Sequence, residues 1–154
     1  YTEIKMATTT FSGPIKAGDK KDGATSNTGF VIMAQSAVVD IVGATATTTV
    51  GVVPANSKIT EVSFNVVEAS NNSAAATLSV GFSGATTALL NSANAKAVAL
   101  TQSTGMATAS INIGTGDRTV IATFNPTGIV DGDEGIADVT VKYLQNVNLN
   151  VTDS

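Results

Sequence analysis

The sequence predicts an all-β fold, an antiparallel β-sandwich of jelly-roll type, with one short helix in a connection and extended terminal arms. Three observations carry this. Ala, Thr, Val and Gly make up half of the 154 residues, and β-branched Thr and Val suit a pleated surface better than a helix. Apolar and polar residues alternate with period two in several short segments. Clusters of Gly, Asn, Ser and Pro punctuate those segments at short spacing, as sandwich turns do.

The elements follow in order. From Lys16 to Gly29 the chain is Gly, Asp, Lys, Ser, Thr and Asn without apolar periodicity, the composition of a loop or arm. Phe30 to Ile41 is apolar, rich in β-branched residues and closed by Gly43, which predicts a strand. Thr47 to Val53 is a second strand that must stop at Pro54, and Pro54-Ala55-Asn56-Ser57 predicts a hairpin-like reversal. Lys58 to Ala69 alternates most cleanly: Ile59, Val62, Phe64 and Val66 oppose Glu61, Ser63 and Asn65, with a slip near Thr60. After the turn Asn71-Asn72-Ser73, the residues Ala76, Leu78, Val80 and Phe82 alternate with Thr77, Ser79 and Gly81, the pattern of a half-buried antiparallel partner.

Thr86 to Ala99 reads differently. Ala88, Leu89, Leu90, Ala93, Ala95 and Ala97 carry helix propensity, and the short helix is placed here. The β pattern resumes from Met106 to Ile113, turns at Gly114-Thr115-Gly116-Asp117 and continues from Arg118 to Asn125 before Pro126, which predicts a second hairpin. Val139, Val141 and Tyr143 mark the last strand, and Val147, Leu149 and Val151 alternate with Asn in a tail able to add a further strand to a sheet edge. The chain therefore divides into an arm over residues 1–28, a sandwich over 29–145 and a tail over 146–154. No repeat of 20–50 residues argues for a solenoid or propeller.

Charge and missing residue types narrow the chemistry. Only 13% of residues are charged, about half the usual share, which fits either a surface largely covered by other subunits or a soluble surface made polar by Thr. The net charge is −4, and the eight Lys and Arg form no run longer than Lys20-Lys21, which disfavours nucleic acid as a partner. No apolar run approaches the roughly 20 residues of a membrane span, so no membrane partner is expected. With no His and no Cys, Ser-His and Cys-His nucleophiles and ordinary zinc sites have no ligands or bases to draw on. The missing thiols also suit assembly in a reducing cytoplasm.

What remains is thin. Asp131, Asp133 and Glu134 in Asp131-Gly132-Asp133-Glu134-Gly135 are the one acidic cluster, a calcium-type oxygen set if any, with Asp138 nearby; the spacing is not that of an EF-hand loop, and such a string is more often a solvated turn. Twelve acids always allow a glycosidase-like pair on paper, but a chain without Trp and with two Tyr lacks the aromatic platforms of a sugar site. Gly81-Phe82-Ser83-Gly84 and Gly114-Thr115-Gly116 have no phosphate-loop Lys and read as turns. No enzyme and no cofactor is expected.

Two stretches carry a family likeness: Met6-Ala7-Thr8-Thr9-Thr10-Phe11-Ser12-Gly13-Pro14-Ile15-Lys16-Ala17-Gly18, and Val52-Val53-Pro54-Ala55-Asn56-Ser57-Lys58-Ile59 running to Glu68. In these the chain resembles small virion structural proteins of tailed bacteriophages, marine ones in particular. The resemblance implies capsid attachment and no catalytic residues; the expectation is a decoration or cement protein on the outer surface of the phage head, bound to the major capsid protein as a homotrimer. Phe11 and Ile15 in the arm and Val147, Leu149 and Val151 in the tail are then the candidate assembly contacts. A tail-fibre or receptor-binding module for host-surface glycans is the alternative.

Overall fold

Alternating side chains build eight strands in the computed structural model of the chain, which describes residues 32–103, 106–107, 111–127 and 131–145. They are β1 (Ile32–Asp40), β2 (Ala46–Val53), β3 (Lys58–Glu68), β4 (Ala76–Phe82), β5 (Ala85–Asn94), β6 (Leu100–Ser103), β7 (Arg118–Pro126) and β8 (Ile136–Leu144). Two four-stranded sheets form, in the orders β1-β8-β3-β6 and β2-β7-β4-β5. Every pairing is antiparallel. Only β4 and β5 pair with a sequence neighbour; elsewhere the chain changes sheets at each connection, the winding of a jelly roll. The predicted fold class is what the chain adopts.

The core lies between the sheets. Period-two alternation sends Ile59, Val62, Phe64 and Val66 of β3 and Ala137, Val139, Val141 and Tyr143 of β8 inward, against Leu78, Val80 and Phe82 of β4 and Val120, Ala122 and Phe124 of β7. Phe64, Phe82 and Phe124 are fully buried, so the described aromatic rings, Tyr143 included, are spent on packing. The slip read near Thr60 is a bulge: the β3–β8 register shifts between Ile59 and Glu61, which returns Val62 to the inward side.

Four expectations are corrected. Residues 85–94 form the strand β5, not a helix. Ser92 takes a positive φ of 51° and the β4–β5 register shifts on either side of Val80, so Leu89, Leu90 and Ala93 are buried at a spacing that imitates a helix face. The Pro54–Ser57 turn does not close a hairpin, because β2 and β3 belong to different sheets. Among the described residues the second expected hairpin does not form either, since β7 pairs with β2 and β4. Ile111 N–H bonds the Ala107 carbonyl at 3.1 Å, Asn112 makes one isolated bridge to Lys58, and the strand on that side is Leu100–Ser103, which composition did not reveal.

Lastly, β4 is not half-buried. Ser79 and Gly81 on its outer side are covered, because a Cβ at Gly81 would stand 2.1 Å from the Ala85 carbonyl oxygen where β5 folds across it, and Ser79 Oγ accepts the Ser92 N–H at 3.1 Å.

Candidate functional site

The acidic turn lies at the end of the sandwich where the β1–β2, β3–β4, β5–β6 and β7–β8 connections gather. Its carboxylates point at the neighbouring turn. Asp131 Oδ1 accepts the Ser73 N–H at 2.9 Å, and Asp133 Oδ1 accepts from Asn71 Nδ2 at 2.8 Å. Asn71 Oδ1 in return accepts the N–H groups of Asp133 and Glu134 at 3.0 and 3.1 Å, and Asn72 Oδ1 accepts that of Gly132 at 3.0 Å.

Backbone bonds extend the clamp. Gly43 N–H reaches the Gly132 carbonyl at 2.9 Å and Ile41 N–H the Gly135 carbonyl at 3.1 Å, while Lys96 Nζ donates to the carbonyls of Asn72 and Ala74. The Ser73 N–H holds the Asp131 carboxyl below the ordinary carboxylate range, with a smaller contribution from Lys96 and a partial opposition from desolvation. Asp131 and Asp133 are thus brought to the same loop cluster but turned to separate amide partners. Among the described residues no three acids converge on one point that would hold a metal ion. The arrangement fastens four connections into one rigid end.

At the opposite end, Asn56 N–H bonds the Ile113 and Gly114 carbonyls at 3.1 and 2.9 Å, Ile113 N–H bonds the Ser57 carbonyl at 2.9 Å, and Asp117 Oδ1 accepts the Ala55 N–H at 2.8 Å. A shallow depression of about 260 Å³ is lined by Phe82, Ser83, Asp117, Arg118 and Thr119. The Arg118 guanidinium stands 3.6 Å from the centre of the Phe82 ring, a cation–π contact that seals the core edge. Asp117 is already bonded to backbone, so the depression offers no pairing of a nucleophile with a base.

The outward face of the β1-β8-β3-β6 sheet is the most distinctive surface. A polar network runs across its middle. Ser36 Oγ donates to Asp138 Oδ1 at 2.5 Å, Thr140 Oγ1 donates to Asp138 Oδ2 at 3.3 Å, and Lys142 Nζ pairs with Glu61 Oε1 at 2.8 Å, which also accepts from Gln102 at 3.3 Å. Around the network stand the exposed side chains of Ile32, Val38, Val67, Leu100 and Ile136. Sequence reasoning missed this face, since it depends on which strands neighbour one another. The arm residues Phe11 and Ile15, the tail residues Val147, Leu149 and Val151, and residues 1–28 as a whole lie outside the described residues.

Comparison with solved structures gives matches in fold. The chain superimposes on a protein of the acidic stable capsid of Helicobacter pylori bacteriophage KHP30 with a TM-score of 0.59 and 17% identity, over 75% of this chain and 89% of that one. It does so on a chain of the cyanophage Pam1 capsid asymmetric unit (TM-score 0.55, 20% identity, 90% and 97% coverage). A chain of the capsid of Ralstonia phage GP4 matches with a TM-score of 0.56 and 17% identity, over 84% and 90%. The fold is one found in phage capsids. Each match runs over nine-tenths or so of the capsid chain. No family model matches the sequence. No curated protein matches it either.

Proposed function

We propose that the chain is a structural protein of a tailed-phage virion that binds the outer surface of the head and stabilises the shell as a decoration or cement protein. The observation that carries the reading is the jelly roll shared, over almost their full length, with three phage capsid chains. Three features of the chain support it. Its polar groups are bonded into the scaffold at both ends, its charge is low, and one sheet face exposes apolar side chains that a second surface would cover.

In this role the major capsid protein is the partner, a homotrimer is the unit that attaches, and the arm and tail bridge subunits through Phe11, Ile15, Val147, Leu149 and Val151. Burying apolar area between neighbours would tie the shell together against internal pressure. Deleting residues 1–28 or 146–154 is expected to abolish attachment to particles while the sandwich still unfolds cooperatively; undiminished binding by both deletions contradicts the arm mechanism. Binding of the purified chain to host-surface glycans, with none to capsids, would favour a fibre or receptor-binding module instead.

A further inference from the structure

Five of the seven large apolar side chains exposed among the described residues lie on the outer face of the β1-β8-β3-β6 sheet. Pairing register gathers four of them in one corner. Val38 stands opposite Asp138, Asp138 opposite Asn65, and Asn65 opposite Leu100, so one row crosses all four strands. The adjacent row is Asp40, Ile136 and Glu68, with Val67 beside it at the β3 bulge. Val39, Ala137 and Val66, which alternate with these residues, are in the core, so the pleat turns the whole set to solvent.

The corner is a checkerboard of carboxylates and apolar side chains, and among the described residues its charges are unbalanced. The described residues contain four cations, Lys58, Lys96, Arg118 and Lys142. Lys96 is tied to loop carbonyls, Arg118 to Phe82 and Lys142 to Glu61. None stands within ion-pair distance of Asp40, Glu68 or Asp138.

We propose that this corner docks a protein surface presenting Lys or Arg between apolar side chains, and, resting on the reading above, that the surface belongs to the capsid shell. Carboxylates in such a setting select a cationic partner and repel an acidic one, while the apolar side chains supply the buried area. A second copy fits poorly. The sheet face measures about 15 Å across three strand spacings and about 30 Å along nine residues, roughly half the ~800 Å² per partner of a stable pair, and two copies would oppose carboxylate to carboxylate. A homotrimer, the attaching unit in that reading, would present three such faces to the shell at once, and their linkage would offset the small area of each.

The test uses particles grown without this chain, incubated with the purified full chain and pelleted. Asp40→Lys, and separately Val38→Thr with Leu100→Thr, are expected to bind about tenfold more weakly than wild type, with thermal unfolding unchanged. Thr49→Lys with Thr86→Lys adds the same two positive charges to exposed positions of the other sheet and is expected to bind as wild type. Added salt is expected to weaken wild-type binding more than that of Asp40→Lys. If both sheet-face variants bind normally while the Thr49/Thr86 variant does not, the docking face is overturned and the capsid reading survives. A wild-type chain that does not bind particles overturns both. If Asp40→Lys instead changes self-association by sedimentation and leaves particle binding intact, the corner is a contact between copies and the proposal falls.

Discussion

The side chain of Gln35 on β1 lies across Gly51 on β2 and joins the two sheets at their edge. Its Nε2 donates to the Val52 carbonyl at 2.8 Å and to the Tyr143 hydroxyl at 2.9 Å. A Cβ on Gly51 would fall 1.7 Å from Gln35 Oε1. The seam between β1 and β2, the edge strands of the two sheets among the described residues, is thus closed by one amide that requires a glycine beneath it.

Gly51→Ala should therefore expel the Gln35 amide and cost about 1–2 kcal/mol, the worth of two net hydrogen bonds. Urea unfolding at neutral pH measures it. Gln35→Ala in the Gly51→Ala background should add little, because the two residues share one interaction; full additivity would refute the coupling.

Gly81→Ala should be more damaging. Its methyl would meet backbone rather than a mobile side chain, the Ala85 carbonyl oxygen at 2.1 Å, so the β4–β5 hairpin must part. A loss of about 3 kcal/mol is expected, seen as a fall in Tm of about 6–12 °C for a domain of this size. An unchanged Tm would mean that β5 does not cross β4 here.

Phe64 lies at the centre of the core with no exposed surface, on the strand that pairs with both β6 and β8. Phe64→Ala is expected to cost about 3–5 kcal/mol. Equilibrium unfolding by denaturant checks it, and a loss under 1 kcal/mol would place Phe64 outside the core.

The parts of the fold that were legible in the sequence are those governed by local pattern. Val62, Phe64 and Val66 announce β3, and even the bulge at Thr60 shows as a broken alternation. Ala76, Leu78, Val80 and Phe82 announce β4 in the same way. What stayed hidden depends on distant partners. Pro54 marks a reversal, but nothing near it says that β2 goes to β7 and β3 to β8. In β5 the irregular register around Ser92 leaves Leu89, Leu90 and Ala93 all buried and so produces a helix-like signal from a strand. The acidic turn was visible as Asp131, Asp133 and Glu134, yet its role rests on Asn71, Asn72 and Ser73, some 60 residues upstream.

That clamp has a pH signature. The Asp131 carboxyl is held below its ordinary range by the Ser73 N–H, so the charged form is favoured by folding. A depressed pKa gives stability that is fully present above the unfolded value of about 3.9 and is lost as pH falls through the lower folded value. Asp131→Asn should lower Tm at pH 7, and its deficit against wild type should shrink as pH is taken below about 4. A deficit independent of pH would rule out the carboxylate as the cause.

The same geometry predicts indifference to divalent cations. Asp131 and Asp133 each spend an oxygen on the 71–73 turn, and no three acids among the described residues converge. Chelation with EDTA or addition of millimolar calcium should leave Tm unchanged, whereas a calcium-dependent rise would show that the turn rearranges into a cation site.

The most direct test of the virion-surface reading is a reconstruction of the intact particle by electron cryomicroscopy, with the chain quantified by mass spectrometry of the same sample. The account predicts jelly-roll density on the outside of the head, in a copy number commensurate with the shell lattice. The chain confined to a few copies at the tail, or absent from purified particles, would contradict it.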